Sequence, residues 1–232
     1  MQYLGGKSRL AKNIAEIIHL YYREGITYIE PFVGAASVAS KVKVPVSLCY
    51  DVNPYLIAMY NELKLGWLPP RILTFEEYSY IREHKDENKA LTAFVGFGCS
   101  FAGKWFGGYA RSVQKKNYCL LAHNSLTKKF LGLRNKFFDC KNYKELNPQG
   151  SLIYCDPPYD DVTGYSFGGN FNSEEFWDIM RKWSSNNTVL VSEYKAPSDF
   201  KCIAEFKTAN VLRNGANIRV PRTEKIFKYD SY

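Results

Sequence analysis

Residues 152–159, Leu-Ile-Tyr-Cys-Asp-Pro-Pro-Tyr, run from an apolar stretch directly into a carboxylate, two prolines and an aromatic ring. Consecutive prolines have no N–H to donate to a sheet ladder and each fixes its own φ, so the chain must leave the sheet stiff and extended here. The groups at this strand end suit one kind of ligand. Asp156 accepts hydrogen bonds from an amine, the free carbonyl of Pro157 offers a second acceptor, and the ring of Tyr159 gives a stacking face for a planar base. Together they clamp an exocyclic amino group on an aromatic ring. Such an amine is a poor nucleophile because its lone pair is delocalised. Two acceptors draw the nitrogen toward tetrahedral geometry and localise that pair as positive charge develops during methyl transfer. The bland alternative is that Asp156 caps a turn and Tyr159 packs on the surface.

A second constellation lies upstream. Residues 30–37, Glu-Pro-Phe-Val-Gly-Ala-Ala-Ser, follow a short apolar run, and Asp51 ends the next such run. In an open α/β sheet ligands collect at the carboxyl ends of strands, and an acidic residue about 20 positions beyond a glycine turn meets the ribose hydroxyls of a nucleoside cofactor. A glycine turn followed by a strand ending in Asp is also common in ordinary helix–sheet connections. The absence of a full G-x-G-x-x-G disfavours a dinucleotide pyrophosphate and leaves room for a nucleoside without phosphates.

The elements that must position these groups follow a β/α rhythm. Residues 9–22 repeat apolar side chains at helical spacing, with Ser8 as the expected N-cap. A strand at 27–30 leads through the glycine turn into the expected start of a helix. A strand ending at Asp51 is followed by a helix opened by Asn53 and Pro54 and running through Leu63. The pattern returns with strands at 136–140 and 151–155, a helix at 173–185 and a strand at 188–194. Three late candidate strands, at 201–206, 209–213 and 224–229, suggest an antiparallel edge with a hairpin. The apolar runs indicate an α/β protein whose parallel strands are buried on both faces. Between about Leu65 and Asn135 the pattern breaks. Residues 74–84 read as helical, whereas 94–116 mix glycines, aromatics and basic residues without a clean period, and no further structure is assigned there. The division expected is a catalytic domain at 1–64 and 136–232 with a target-recognition insert at 65–135.

The chain has 232 residues, enough for one substantial core, and a formal net charge of +8, which favours polyanionic partners. Six cysteines without a Cys-x-x-Cys pair and three histidines suggest neither a zinc site nor a disulfide framework. Cys49 and Cys155 read as buried free thiols. No apolar leader or membrane-length run is present, so a reduced, cytoplasmic protein with no membrane association is expected. Nothing points to an obligate protein partner, and a monomer is expected. Lys104, Tyr109, Arg111, Lys115 and Lys116 are the candidate nucleic-acid-binding residues of the insert, because no apolar period explains the basic ones as a face of a buried helix.

The chain resembles the Dam-like, D12-class family of DNA adenine-N6 methyltransferases. The resemblance rests on Tyr3 to Lys7 (aromatic-x-Gly-Gly-Lys), Glu30 to Ser37 (Glu-Pro-Phe-x-Gly), Asp51, Asp156 to Tyr159, and Ser192 to Pro197, in the family's order. It implies a Rossmann-like S-adenosylmethionine-dependent methyltransferase fold, a mostly parallel seven-stranded sheet with helices on both faces and a DNA-recognition insert. It implies S-adenosylmethionine as cofactor, with Tyr3 and Lys7 lining its pocket, Phe32 and Gly34 beneath it, Asp51 on its ribose, and Asp156 where cofactor and target base meet. The substrate implied is an adenine flipped out of double-stranded DNA onto Tyr159. Ala36 stands where many members have a second glycine, and the expectation is that its Cβ narrows the space beside the cofactor. Three rivals remain. An RNA adenine-N6 methyltransferase uses the same clamp. A nucleic-acid-binding relative without catalysis would show a broken Asp51 or Asp156, and neither is broken. A methyltransferase of protein glutamine usually has Asn where Asp156 stands. A regulatory enzyme, a phage product and the modifying half of a restriction system all fit the sequence.

Overall fold

A computed structural model describes residues 3, 6–114, 116–158, 167, 171–208 and 222–230. The chain runs α1 (Ala11–Tyr21), β1 (Tyr28–Glu30), β2 (Ser47–Asp51), α2 (Pro54–Lys64), α3 (Phe75–Glu83), α4 (Lys89–Ala93), α5 (Tyr118–Phe130), β3 (Phe137–Cys140), β4 (Leu152–Cys155), α6 (Ser173–Ser184), β5 (Thr188–Glu193), β6 (Phe200–Thr208) and β7 (Arg222–Tyr229). Seven strands form one sheet in the order β3-β2-β1-β4-β5-β7-β6. The first five in that order are parallel, and β7 pairs antiparallel with both β5 and β6. The α/β reading, the parallel core and the antiparallel edge expected from the sequence are all present.

The buried strands sort their side chains by the period of two. Ile29, Ile153, Val189 and Val191 face α6, where they meet Phe176, Met180 and Trp183. Tyr28, Leu152, Tyr154 and Leu190 face α1, packing with Ala11, Ile14 and Ile18. Both faces are thereby covered, as the doubly apolar strand sequences require. Cys49 and Cys155 are buried free thiols.

Two local expectations are corrected. Helix α1 begins at Ala11 with Leu10 at the cap position and no side-chain cap; Ser8 lies in the turn before it, where the Leu10 N–H bonds the Lys7 carbonyl at 2.9 Å. The segment after β1 does not start a helix. Gly34 and Ala36 have φ of +44° and +51°, and these left-handed residues break the helical repeat, leaving isolated turns through Lys41. The start of α2 is as expected: Asn53 Oδ1 accepts the N–H groups of Tyr55 and Leu56, with Pro54 at the first helical position.

Residues 65–135 lie between α2 and β3. The helix expected at 74–84 is α3, capped by a reciprocal Thr74–Glu77 box. Helix α4 passes into a π-helical turn at Phe94–Gly98, and a short hairpin follows, closed by Phe101 N–H to Gly108 O (2.8 Å) and Ala110 N–H to Cys99 O (2.9 Å). Gly96 permits the close packing, since a Cβ there would come within 2.6 Å of the Trp105 ring. Phe94, Phe97, Leu126 and Leu133 share one apolar cluster with Val33, Cys49, Leu56 and Tyr60. The 65–135 segment is thus built onto the sheet through a common core. The candidate strand at 209–213 lies outside the described residues.

Candidate active site

In the order β3-β2-β1-β4-β5, the chain leaves β1 toward β2 and leaves β4 toward β5 on the other side. The crevice between the carboxyl ends of β1 and β4 is therefore the topological switch point, where open α/β sheets bind ligands. Asp51 ends β2, the glycine turn follows β1, and Asp156 follows β4. The two constellations read from the sequence flank one crevice.

On the β1–β2 side the turn is tied by peptide groups. The Gly34 N–H donates to Asp51 Oδ2 at 2.8 Å, and the Asn53 N–H donates to Oδ1 at 2.9 Å. The Tyr60 hydroxyl donates to the Gly34 carbonyl at 2.7 Å. Burial pushes the Asp51 carboxyl up to about 6, against the opposing effect of the Asn53 and Gly34 N–H groups. Each carboxylate oxygen keeps a further lone pair for an external donor. The Tyr3 ring covers the turn: a Cβ on Gly34 would lie 3.5 Å from Tyr3 Cε1, and the same ring packs against Phe97 with centroids 4.8 Å apart. Phe32 is half-buried against Tyr143, Phe171 and Phe176. Ala36 is fully buried, and its constraint is the left-handed backbone, which costs an L-residue about 1–2 kcal/mol. The glycine expected there answers to φ as well as to space. Glu30 turns inward, accepts from the Tyr28 hydroxyl at 2.9 Å, and is pushed up to about 8 by burial.

On the β4–β7 side the groups are ionic. Lys7 Nζ lies 2.8 Å from Asp156 Oδ1 and 3.4 Å from Glu224 Oε1 on β7. Lys7 is 8% exposed and Glu224 4%. Burial opposes the charge on Lys7, but the carboxylates of Asp156 and Glu224 outweigh it and raise its pKa. Burial likewise raises Asp156, while Lys7 holds it down. Burial pushes Glu193, at the end of β5, up to about 7, and the nearby Glu224 adds to that. With Oδ1 of Asp156 on Lys7, Oδ2 is the oxygen oriented by this pair for another donor. Pro157, next in the chain, is buried and Pro158 half-buried. Tyr159 lies outside the described residues.

The candidate DNA-binding residues are spread over the hairpin and the segment after it. Lys104 is exposed between Phe101 and Gly108. The Tyr109 hydroxyl donates to the Leu73 carbonyl at 2.5 Å and its ring packs on Tyr78, so this side chain braces the hairpin. The exposed Arg111 guanidinium lies over the Phe75 and Tyr109 rings at 4.7 and 5.4 Å, and Lys116 is exposed. Lys115 lies outside the described residues. Among the described residues, no group of His, Cys, Asp and Glu is arranged to hold a metal ion, and no helix is long and apolar enough to cross a membrane.

Sequence reasoning missed Glu224 and Lys129. Glu224 stands two positions before the buried Ile226, hence on the same face of β7, and an acidic residue on a buried face was the available signal. Lys129 reads as a solvated lysine in a helix's last turn, yet it reaches the glycine turn: its Nζ donates to the Ala35 carbonyl at 2.6 Å.

Residues 3–92 match the family model of the D12 class N6 adenine-specific DNA methyltransferases. A DNA adenine methylase of Vibrio cholerae is 28% identical over 229 residues, an alignment covering 84% of this chain and 80% of that protein. The DNA N-6-adenine-methyltransferase of Escherichia phage P1 is 28% identical over 204 residues, covering 75% of this chain and 26% of its own. The type II methyltransferase M.FokI of Planomicrobium okeanokoites is 22% identical over 212 residues, covering 78% of this chain and 32% of its own.

Proposed function

We propose that this chain, whose residues 3–92 match the D12 class N6 adenine-specific DNA methyltransferases, methylates the exocyclic amine of adenine at specific sites in double-stranded DNA. The observation that carries this reading is the Lys7–Asp156 pair at 2.8 Å, placed at the switch point opposite the Gly34–Asp51 turn. One flank suits a nucleoside cofactor and the other an amino group.

The residues present fit S-adenosylmethionine, which supplies the methyl group when bound. Asp51 retains acceptor capacity for ribose hydroxyls, and Tyr3, over the Gly34 turn, and Phe32 give apolar walls. Lys7 favours the ionised form of Asp156 against the effect of burial and fixes its orientation. Asp156 Oδ2 and the Pro157 carbonyl then accept the two N–H groups of the target amine, localising the nitrogen lone pair and stabilising the charge that develops there. Tyr159, two positions beyond Pro157, is the stacking surface for the base. An adenine inside a duplex must leave the stack to reach this clamp. Lys104, Arg111, Lys115 and Lys116 contact the DNA, with phosphate contacts positioning it and Arg111 best placed by its rigid stacking to read a base edge.

The test is to express the chain in a host free of DNA methylation, digest the DNA to nucleosides for mass analysis, and map modified positions on single molecules. The expected result is N6-methyladenine at one short recurring sequence. Unmodified DNA together with methylation of adenine in structured RNA by the purified protein would replace this reading with the RNA one.

A further inference from the structure

Lys129 lies in the last turn of α5, a position whose side chain ordinarily reaches solvent or caps its own helix. Instead the half-buried side chain turns onto the segment after β1, its Nζ donating to the Ala35 carbonyl at 2.6 Å and to Ser37 Oγ at 3.3 Å. Among the described residues it forms no ion pair. Burial and the Lys41 ammonium lower its pKa to about 8, and the Glu30 carboxyl opposes them. The chain just beyond α5 meets the same segment again. A Cβ on Gly132 would lie 2.1 Å from the Ser40 carbonyl oxygen, so only glycine permits this approach. The segment 35–40 is thus met at both ends by residues from more than 90 positions away, Lys129 at Ala35 and Gly132 at Ser40.

A half-buried charge of this kind is poor evidence of stabilisation, since an apolar residue of similar volume is often as good or better. What the amine does supply is geometry. Gly34 and Ala36 are both left-handed, and the carbonyl between them, that of Ala35, is the one Lys129 holds. We propose that Lys129 is a positioning residue for cofactor binding: from the helix that closes the 65–135 segment, it holds the Gly34–Ser37 turn in the conformation that receives the cofactor. The strained turn then depends on the seating of α5, and cofactor affinity becomes linked to the segment that carries the candidate DNA contacts. This inference rests on the cofactor assignment above.

The test compares wild type with Lys129→Met by calorimetric titration with S-adenosylmethionine, and by thermal melting without cofactor. Wild-type binding must be seen first; its absence would defeat the cofactor assignment itself. Given wild-type binding, the expectation is a Kd raised ~10-fold in Lys129→Met, within the usual span of coupling effects, while the cofactor-free melting temperature holds or rises. An unchanged Kd overturns the inference, as does a Kd that rises only in step with a falling melting temperature, which is the mark of a merely structural contact. Should Lys129→Met fail to fold, Ser37→Ala removes the weaker acceptor alone. A raised Kd with unchanged melting in that variant supports the inference, and equal affinity overturns it.

Discussion

On the β1–β2 flank of the switch point, the turn at 34–36 is fixed by peptide groups, with Asp51 accepting two backbone N–H bonds and Tyr60 and Lys129 each donating to a backbone carbonyl. On the β4–β7 flank, the contacts are between side-chain ions, Lys7 with Asp156 and Glu224, brought from three distant parts of the chain. The first flank is a shape that a ligand can lie on, and it is sensitive to backbone conformation. The second is a set of charges that can follow a reaction, and it is sensitive to anything that alters protonation. A nucleoside cofactor needs the former, whereas an amine passing through a charged state needs the latter.

Removing the acceptor from the ionic flank has the largest expected effect. Asp156→Ala should lower methyl transfer to DNA by ~10³-fold or more, in the range seen when a transition-state contact is lost. The apolar residues of β4 are untouched, so circular dichroism should show the fold retained. Substantial transfer by the folded variant would break the assignment of this flank to catalysis.

Next in size is Lys7→Met, with a loss of kcat of ~100-fold. The sign of its pH effect is fixed by the geometry. Lys7 holds the Asp156 carboxyl down against burial, so its removal raises that pKa, and activity requiring the ionised carboxylate is lost at a higher pH as pH falls. The acidic limb of the pH–kcat profile should therefore move upward. A raised KM for cofactor with an unmoved limb would instead return Lys7 to the cofactor pocket.

The peptide-bonded flank should respond in binding. Asp51→Ala removes the acceptor for ribose hydroxyls, worth ~10- to 100-fold in S-adenosylmethionine Kd at the strength of hydrogen bonds to a charged group. It also strips the acceptor from the Gly34 and Asn53 N–H groups, so the melting temperature should fall with it. Calorimetry showing equal affinity in both proteins would place the ribose elsewhere.

The smallest effect sharpens the comparison most directly. Ala36→Gly relieves a left-handed alanine at φ +51°, at the expense of a more flexible unfolded chain, for a net gain of about 1 kcal/mol. A rise in melting temperature of about 2–4 °C is expected for a chain of this size. A fall would mean that the alanine methyl contributes more to packing than its backbone strain costs.

Several features are legible in the order of residues alone. The apolar strand runs, the Asn53–Pro54 start of α2 and the Asp-Pro-Pro ending of β4 are local signals, set by hydrophobic period, capping chemistry and the missing N–H of proline. The Ser8 cap and the helix after Gly34 are not, for a shared reason. A serine near a helical pattern is a cap only if the first turn begins right after it, and the start of that turn is a tertiary outcome. The residues after Gly34 have helical propensity, but Ala36 is held left-handed by the contacts around it.

The sequence by itself determined the α/β class, the acidic strand ends and the stiff Asp-Pro-Pro exit from β4, because residue type and spacing within one segment suffice for these. Only the tertiary structure decided that Lys7 pairs with Asp156, that Glu224 joins them, and that Lys129 holds the turn after β1. Each of these is a charge buried or half-buried beside a partner far along the chain. Burial and long-range neighbours are properties of the packed sheet, and no local pattern of residues records them.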